Sequence, residues 1–363
     1  MRNVKKLTVK YNERTVGYLA EIDNTRIGFE YEDEWIKNGF SISPFSLPLK
    51  SGVFVNKKDN FQGLYGVFSD SLPDGWGELL VYRMLSKRGI DPNKLSPLTK
   101  LSLVSGQGLG GLSYEPCQFE TGEDNSFELD TIAEDIRKIL NDEYDNKTLD
   151  QIYRLGGSSG GARPKAHIKI DDEEWIIKFP MRYDSQVVGE NEYKANLLAK
   201  KCGLNVNEFK LFKSNICSGY FGAKRFDRRE GKRIHMISLS SLLETSHRIP
   251  NLDYKHLFQV IQSICKDNND LYEAYGRMCF NVLYGNKDDH GKNFAFLYDE
   301  SIKGYRLSPF YDITQTNDKL EHEMTVNGVG NPQEKDLLEI AKAISLSMQR
   351  CSLIVNKTKN VLR

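Results

Sequence analysis

The first third of the chain carries short runs of strand-forming residues, with no long helical stripe. Residues 4–11 are rich in β-branched and aromatic side chains with broken alternation. Residues 12–14 read as a turn, and residues 15–20 return as a hairpin partner. Residues 26–31 continue the pattern, and Pro44, Pro48, Gly52 and Gly63 punctuate the loops that follow. A helical stretch is predicted over 78–87, with Asp74 as its cap. Further on, Asp130 and Thr131 predict the cap of a helix to Leu140, with Ile132, Ile136, Ile139 and Leu140 on one face. A second helical run covers 148–153. Strand patterns return at 167–170 and 175–180 around an acidic turn over 171–174, and again at 209–212 and 219–226. A helix from 189 to 201 separates these two pairs. From 238 the reading is mostly helical: 240–243, 254–266 with Leu257, Val260, Ile261 and Ile264 on one face, 269–284, and closing helices over 333–348 with a last turn beyond.

Composition narrows the function classes. With 363 residues and 39% hydrophobic content, the chain can build two or three cores. Its 50 basic and 50 acidic residues cancel, so direct nucleic-acid binding is not indicated. No apolar run reaches the roughly 18 residues of a membrane helix, and the N-terminus lacks the apolar core of a signal peptide. The six cysteines form no Cys-x-x-Cys pair, which argues for reduced thiols in a cytoplasmic protein.

Candidate chemistry lies in three stretches. Residues 286–293 read Asn-Lys-Asp-Asp-His-Gly-Lys-Asn, between an apolar helix and a strand, and Ser-Pro-Phe-Tyr-Asp follows at 308–312. Phosphoryl transfer needs a carboxylate beside the attacking hydroxyl, plus an Asn and a second Asp to hold magnesium. Asp288, Asn293 and Asp312 supply those groups. The plainer alternative is a polar turn between helix and strand. A glycine-dense stretch, 155–166, runs into a hairpin whose second strand carries Lys178. Glycines let backbone amides approach phosphate oxygens, and a strand lysine can hold the α- and β-phosphates. The alternatives are a flexible hairpin connection and an edge-strand lysine with its head in water. Glu192 reads either as the partner of Lys178 or as a solvent-facing helix glutamate. A second glycine-rich stretch, 105–111, reads as a tight turn, because no Lys-Ser or Lys-Thr follows it.

Taken together, the glycine loop, the strand lysine, Arg-Phe-Asp-Arg at 225–228, Asp-Asp-His-Gly-Lys-Asn-Phe and Pro-Phe-Tyr-Asp resemble the HipA family over nearly the whole chain. These are bacterial serine/threonine protein kinases of toxin–antitoxin systems. The resemblance implies an α+β, two-lobed fold akin to protein kinases and phosphoinositide-3-kinase, with a β-rich N-terminal module and a mainly helical C-terminal lobe. It implies three domains: 1–118, the N-terminal module with its Leu-Pro-Asp-Gly-Trp-Gly helix start; 119–226, the N-lobe with the glycine loop; and 227–363, the helical C-lobe. ATP and Mg2+ are the implied cofactors.

By the same resemblance, Asp288 orients or deprotonates the substrate hydroxyl, with His290 and Lys292 positioning phosphates or the loop. Asn293 and Asp312 coordinate magnesium. Lys178 holds the nucleotide phosphates together with Gly160, Gly161, Ala162 and Lys165, and residues Lys224 to Phe226 form the adenine-contacting hinge. Ser158, or Ser159 one position on, is the implied autophosphorylation site. Three positions depart from the family pattern: Arg163 in the glycine loop, where the best-known form has Gln; Lys224, where the family often has an acidic residue; and Asp289, a second negative charge near the metals beside Asp288. The implied partners are a helix-turn-helix antitoxin (HipB-like), through which DNA is contacted only indirectly, and a protein substrate such as an aminoacyl-tRNA synthetase. A small-molecule or lipid kinase, or an inactive kinase-like module bound to a DNA-binding repressor, are the alternatives.

Overall fold

The computed structural model describes the chain except residues 1–2, 24–25, 59, 105–107, 119–127 and 158–159. It divides into two compact units: Met1–Glu190 with Phe209–His235, and Asn191–Glu208 with Met236–Arg363.

The first unit holds two antiparallel sheets. In one, five strands run in the order Val53–Val55, Ile27–Tyr31, Arg14–Glu21, Lys6–Tyr11, Leu112–Glu115. Asn12 and Glu13 form its first hairpin turn with φ of 45° and 66°, and Arg14 already pairs with Tyr11. Two successive positive φ values match the twist of the strands they join. Leu7, Val9 and Tyr11 alternate inward cleanly, although the sequence around them reads as broken. The reason is that Thr8 and Lys10 face outward despite one being β-branched.

The other sheet has the order Lys165–Ile170, Glu173–Lys178, Tyr220–Lys224, Phe209–Phe212. Its first hairpin also turns on two residues, Asp171 and Asp172, with φ of 50° and 62°. Glu173 and Glu174 therefore belong to the strand, and the acidic turn is shorter than its composition suggests. One core unites this sheet with three helices, Trp76–Lys87, Leu129–Leu140 and Asn146–Gly156. Trp76, Leu80, Ile132, Ile136, Leu149, Ile152, Trp175 and Ile177 meet there.

Two predicted caps are corrected. The helix Trp76–Lys87 is entered through Gly75, with no side-chain cap bond, and the Asp74 carboxylate accepts from the Gly75 amide at 2.9 Å. The helix Leu129–Leu140 begins at Glu128. The Asp130 carboxylate instead accepts from Ser214 Oγ at 2.7 Å, Asn215 N at 2.9 Å and Tyr220 Oη at 2.8 Å. Those bonds lower its pKa, the Asn215 amide most.

The second unit is mainly helical. Tyr254–Ile264, Asn269–Tyr284, Glu334–Ala343 and Met348–Leu362 surround a small sheet of Met236–Ser238, Ala295–Asp299 and Gly304–Leu307. Ala195, Ala199, Phe280, Phe310 and Ile313 form a core cluster here. In the closing run, expected as helices over 333–348 with a last turn beyond, the first helix ends early. It stops at Ala343, Ser345 takes a φ of 60°, and Ser347 caps a fresh 15-residue helix. That last helix buries only Cys351, Val355 and Thr358, a stripe too thin to stand out along the sequence.

Candidate active site

The phosphate-holding candidates lie in the first unit. Gly160 O accepts from Lys165 Nζ at 2.5 Å, and Gly161 O accepts from the Trp76 amide at 3.0 Å. Gly75 fits directly against this loop: its φ is 49°, and a Cβ there would lie 2.5 Å from Gly161 O and 2.7 Å from the Ala162 Cα. Only glycine tolerates both the backbone angle and the approach. The Pro-Asp-Gly-Trp helix start is thus the seat of the glycine loop, a role its sequence does not announce. Ser158 and Ser159, the expected modification sites, lie outside the described residues.

Lys165 and Lys178 are directly opposed across the hairpin. Residues so paired share a face, and like charges placed there repel. The Lys178 strand is an inner one, between Lys165–Ile170 and Tyr220–Lys224, so the edge-strand alternative does not describe it. Its ammonium lies 5.8 Å from the centre of the Phe221 ring. Arg163, a departure from the family pattern, pairs with Asp184 at 2.7 Å, which also accepts from Met181 N at 2.9 Å. Glu192, in the second unit, is 4% exposed, so it is not a solvent-facing glutamate.

The expected hinge is partly committed elsewhere. Lys224 pairs with Glu173 at 2.7 Å, the Arg225 amide donates to Glu174 O at 2.7 Å, and Phe226 is half-buried. The buried Arg225 guanidinium donates to Asp227 at 2.9 and 2.7 Å and to Gly108 O at 2.9 Å. Arg228 and Arg233 also donate to the Gly108 and Gly110 carbonyls. Burial pushes the Asp227 carboxyl up, but the Arg225 and Arg228 guanidinium groups outweigh it and hold it well below the usual carboxylate range. The glycine stretch at 108–110 therefore turns carbonyls toward cations, the opposite of what phosphate needs.

The catalytic candidates lie in the second unit, where the loop begins as a helix ends. The helix Asn269–Tyr284 stops at Gly285, whose φ of 81° terminates it in the left-handed conformation. Residues 286–290 then lead into a single tight turn, Gly291–Asn293, capped by His290, which accepts from Lys292 N at 3.2 Å. Asn293 is 7% exposed and donates from Nδ2 to Asp288 O at 2.7 Å, closing the loop on itself. Tyr311 Oη donates to Lys292 O at 2.5 Å, tying the Asp312 segment to the same turn. Asp312 is half-buried with a φ of 58°, a strained backbone of the kind that collects at functional sites. Burial lowers the His290 pKa against the opposing pull of Asp288 and Asp312. The imidazole is therefore neutral at pH 7, and both carboxylates act on it.

Several supporting residues were not legible in the sequence. Arg277 is fully buried, donates to Ser308 O at 2.7 Å and to Glu273 at 2.8 Å, and lies 5.4 Å from the Phe310 ring centre. It braces the strand end that carries Asp312. Asp289 is 1% exposed and accepts from Tyr254 Oη at 2.7 Å, Glu323 N at 3.0 Å and Met324 N at 3.4 Å, with His322 Nδ1 at 2.9 Å. Tyr254 Oη accepts from Asn281 Nδ2 at 3.0 Å, and Asn281 Oδ1 accepts from Asn286 Nδ2 at 2.9 Å. Expected as an added charge near a metal, Asp289 is instead the centre of a buried polar network that anchors the loop.

Magnesium binds hard oxygens, often through one or two protein groups plus phosphates and water. Among the described residues no cluster of three or more His, Cys, Asp or Glu could hold a metal. Asn293 and Asp312 are the oxygen-bearing groups that the family resemblance offers for such a two-ligand case. The first has its amide orientation fixed by the bond to Asp288 O, and the second is a half-buried carboxylate tied by Tyr311 to the same turn.

The fold and these loops are those of a known family. A family model described as the HipA N-terminal domain matches residues 7–115, and one described as the HipA-like C-terminal domain matches residues 157–363. The chain belongs to the HipA family, with its α+β, kinase-like fold. It is 23% identical over 345 residues to a Sinorhizobium fredii protein named "Putative kinase Y4mE", covering 86% of this chain and 78% of that one. A second protein of that organism, "Putative kinase Y4dM", is 29% identical over 164 residues, covering 42% of this chain and 39% of that one. The chain thus spans less than half the length of this second relative. Among solved structures, the HipA, HipB and operator DNA complex of the Shewanella oneidensis MR-1 toxin–antitoxin system matches with a TM-score of 0.72. That match has 19% identity over 98% of this chain and 88% of that one.

Proposed function

We propose that this protein is an ATP- and Mg2+-dependent serine/threonine protein kinase, the toxin of a toxin–antitoxin pair. The observation that carries the reading is the closed loop from Asp288 to Asn293, joined through Tyr311 to the segment of Asp312. It carries a half-buried carboxylate, a buried amide and a second half-buried carboxylate on one braced scaffold. The cross-strand lysines at the glycine loop support it, because a polyanion relieves the repulsion of two cations held on one face.

Lys165, Lys178 and the glycine-loop amides hold phosphates, and the backbone near Lys224 to Phe226 receives the adenine. Asp288 orients the acceptor hydroxyl and takes its proton as the oxygen bonds the γ-phosphorus and the bond to the leaving ADP oxygen breaks. Neutral His290 and Lys292 hold the turn. Asn293 and Asp312 hold Mg2+, which neutralises charge on the phosphates when bound. Self-modification falls on Ser158 or Ser159, where a phosphate adds about −1.5 to −2 charge to a phosphate-binding loop.

A small helix-turn-helix antitoxin is the proposed partner, by analogy with the HipB of the Shewanella complex. The proposed substrate is a component of translation, such as an aminoacyl-tRNA synthetase, and the proposed compartment is the cytoplasm. No described helix is long and apolar enough to cross a membrane. The test is incubation with γ-labelled ATP and Mg2+, followed by phosphopeptide mapping. Label on serine that is lost in Asp288→Ala and Asp312→Ala is the expected result. Label confined to added small molecules or lipid, or no label with the wild type, refutes the protein-kinase reading.

A further inference from the structure

The segment that follows Asp312 is fastened along the catalytic loop residue by residue. Gln315 Nε2 donates to Tyr284 O at 3.3 Å, and Thr316 N to Gly285 O at 3.0 Å. Lys287 N returns a bond to Thr316 Oγ1 at 2.8 Å, and its ammonium donates to the Lys319 and Leu320 carbonyls at 3.0 and 3.1 Å. Glu323 N then donates to Lys287 O at 3.2 Å and to Asp289 at 3.0 Å. The product of this fastening is one side-chain contact. Lys319 Nζ donates to Asp288 Oδ1, and also to Glu323 Oε1 at 2.7 Å. Held between two carboxylates and anchored at its own carbonyl, the Lys319 ammonium has a fixed place beside the carboxylate assigned to proton transfer.

We propose that Lys319 is a positioning residue for phosphoryl transfer, docked from the segment after Asp312 to hold the Asp288 carboxylate in its reactive orientation. The inference rests on the kinase reading above and adds to it a condition: the catalytic loop is complete only when residues 315–324 are docked. The contact guides Asp288 and does not cap it. The lysine occupies one oxygen, and with it in place the Asp288 side chain is still 37% exposed, while Lys319 itself is 29% exposed. The second oxygen remains open to an acceptor hydroxyl.

The experiment measures initial rates of self-phosphorylation by the full chain against ATP concentration, for Lys319→Ala, Lys319→Met, Lys319→Arg and Asp288→Ala. Lys319→Ala and Lys319→Met are expected to lower the rate at saturating ATP by about ten- to a hundredfold, as a misplaced catalytic group does. The ATP concentration at half-maximal rate should stay within about twofold, because the ground-state contacts are untouched. Lys319→Arg should recover most of the rate, since it restores a donor and a charge. Lys287→Ala removes the anchor of the Lys319 carbonyl but leaves the ammonium, and should fall between wild type and Lys319→Ala. Lys319→Met as active as Lys319→Arg would reduce the residue to packing. Lys319→Ala equal to or faster than wild type would overturn the proposal, the second case marking Lys319 as a brake. If Asp288→Ala is inert while Lys319→Ala is fully active, only this inference fails. If Asp288→Ala is also active, the kinase reading fails with it.

Discussion

The glycine loop and the catalytic loop are held in different ways. At the glycine loop the Gly160 and Gly161 carbonyls meet one ammonium and one amide, Arg163 forms a partly exposed pair with Asp184, and Gly75 is pressed against the Gly161–Ala162 backbone. At the catalytic loop a chain of buried side chains runs from Asn286 through Asn281 and Tyr254 to Asp289 and His322. Such a network fixes one geometry to the extent that its members are satisfied, and here the one buried atom left over among its described residues is Asn286 Oδ1. A phosphate site tolerates small displacements because charge acts over distance. A proton-transfer site does not, since its distances must stay within hydrogen-bond reach. The chain invests its buried polar groups where tolerance is smallest.

This contrast can be broken or sharpened by substitution. The largest effect should come from Asp288→Ala, with phosphoryl transfer slowed by at least about a hundredfold and the melting temperature unchanged. Asp289→Ala, one residue on, should instead act through stability. Removing a buried carboxylate strands Tyr254, His322 and two amides, at a cost of about 3–5 kcal/mol, read from the denaturant midpoint. Similar stability for the Asp288 and Asp289 variants would break the distinction between the two positions.

Acid offers a test away from both loops. Burial holds the His235 imidazole down to about 4 against an ordinary value of 6.5. The unfolded chain therefore binds this proton first. The stability linked to neutral His235 is present above pH 6.5 and is lost as pH falls toward 4, by about 3 kcal/mol in all. His235→Gln should flatten that part of the curve of unfolding midpoint against pH; an unaltered curve would remove His235 as its source.

Gly75→Ala should cost about 2 kcal/mol, through a backbone angle alanine resists and a clash with the glycine loop. It should also weaken ATP binding by calorimetry while sparing the second unit's chemistry at saturating ATP. The smallest effect is expected at Arg163→Ala. Its pair with Asp184 is partly exposed, at 36% and 19%, so stability should change by less than about 1 kcal/mol in a melting experiment.

What the sequence disclosed follows from distance along the chain. The hairpin of Lys165 and Lys178 was legible because strand pattern and turn chemistry are local. The loop from Asp288 to Asn293 was legible because six adjacent residues carry its signal. The buried network of Asp289 was not legible because its partners are at positions 254, 322, 323 and 324, and an acid beside Asp288 reads as added charge near the metals. Lys319 was missed for the same reason, as was Arg277, whose burial is set by a strand end 31 residues away. The cap at Asp130 failed because a tertiary partner, Ser214 with Asn215, outcompeted the helix end for one carboxylate.

The carbonyls of Gly108 and Gly110 receive Arg225, Arg228 and Arg233 from more than a hundred positions away. The boundary between the two family models therefore does not mark a seam in cooperative folding. Cutting the chain after residue 115 would leave a glycine-loop fragment in which Arg225, Arg228 and Arg233 lose the Gly108 and Gly110 carbonyls, with a hole where Trp76 belongs. Such a fragment would need its missing piece supplied in trans before it could be purified as a monodisperse species.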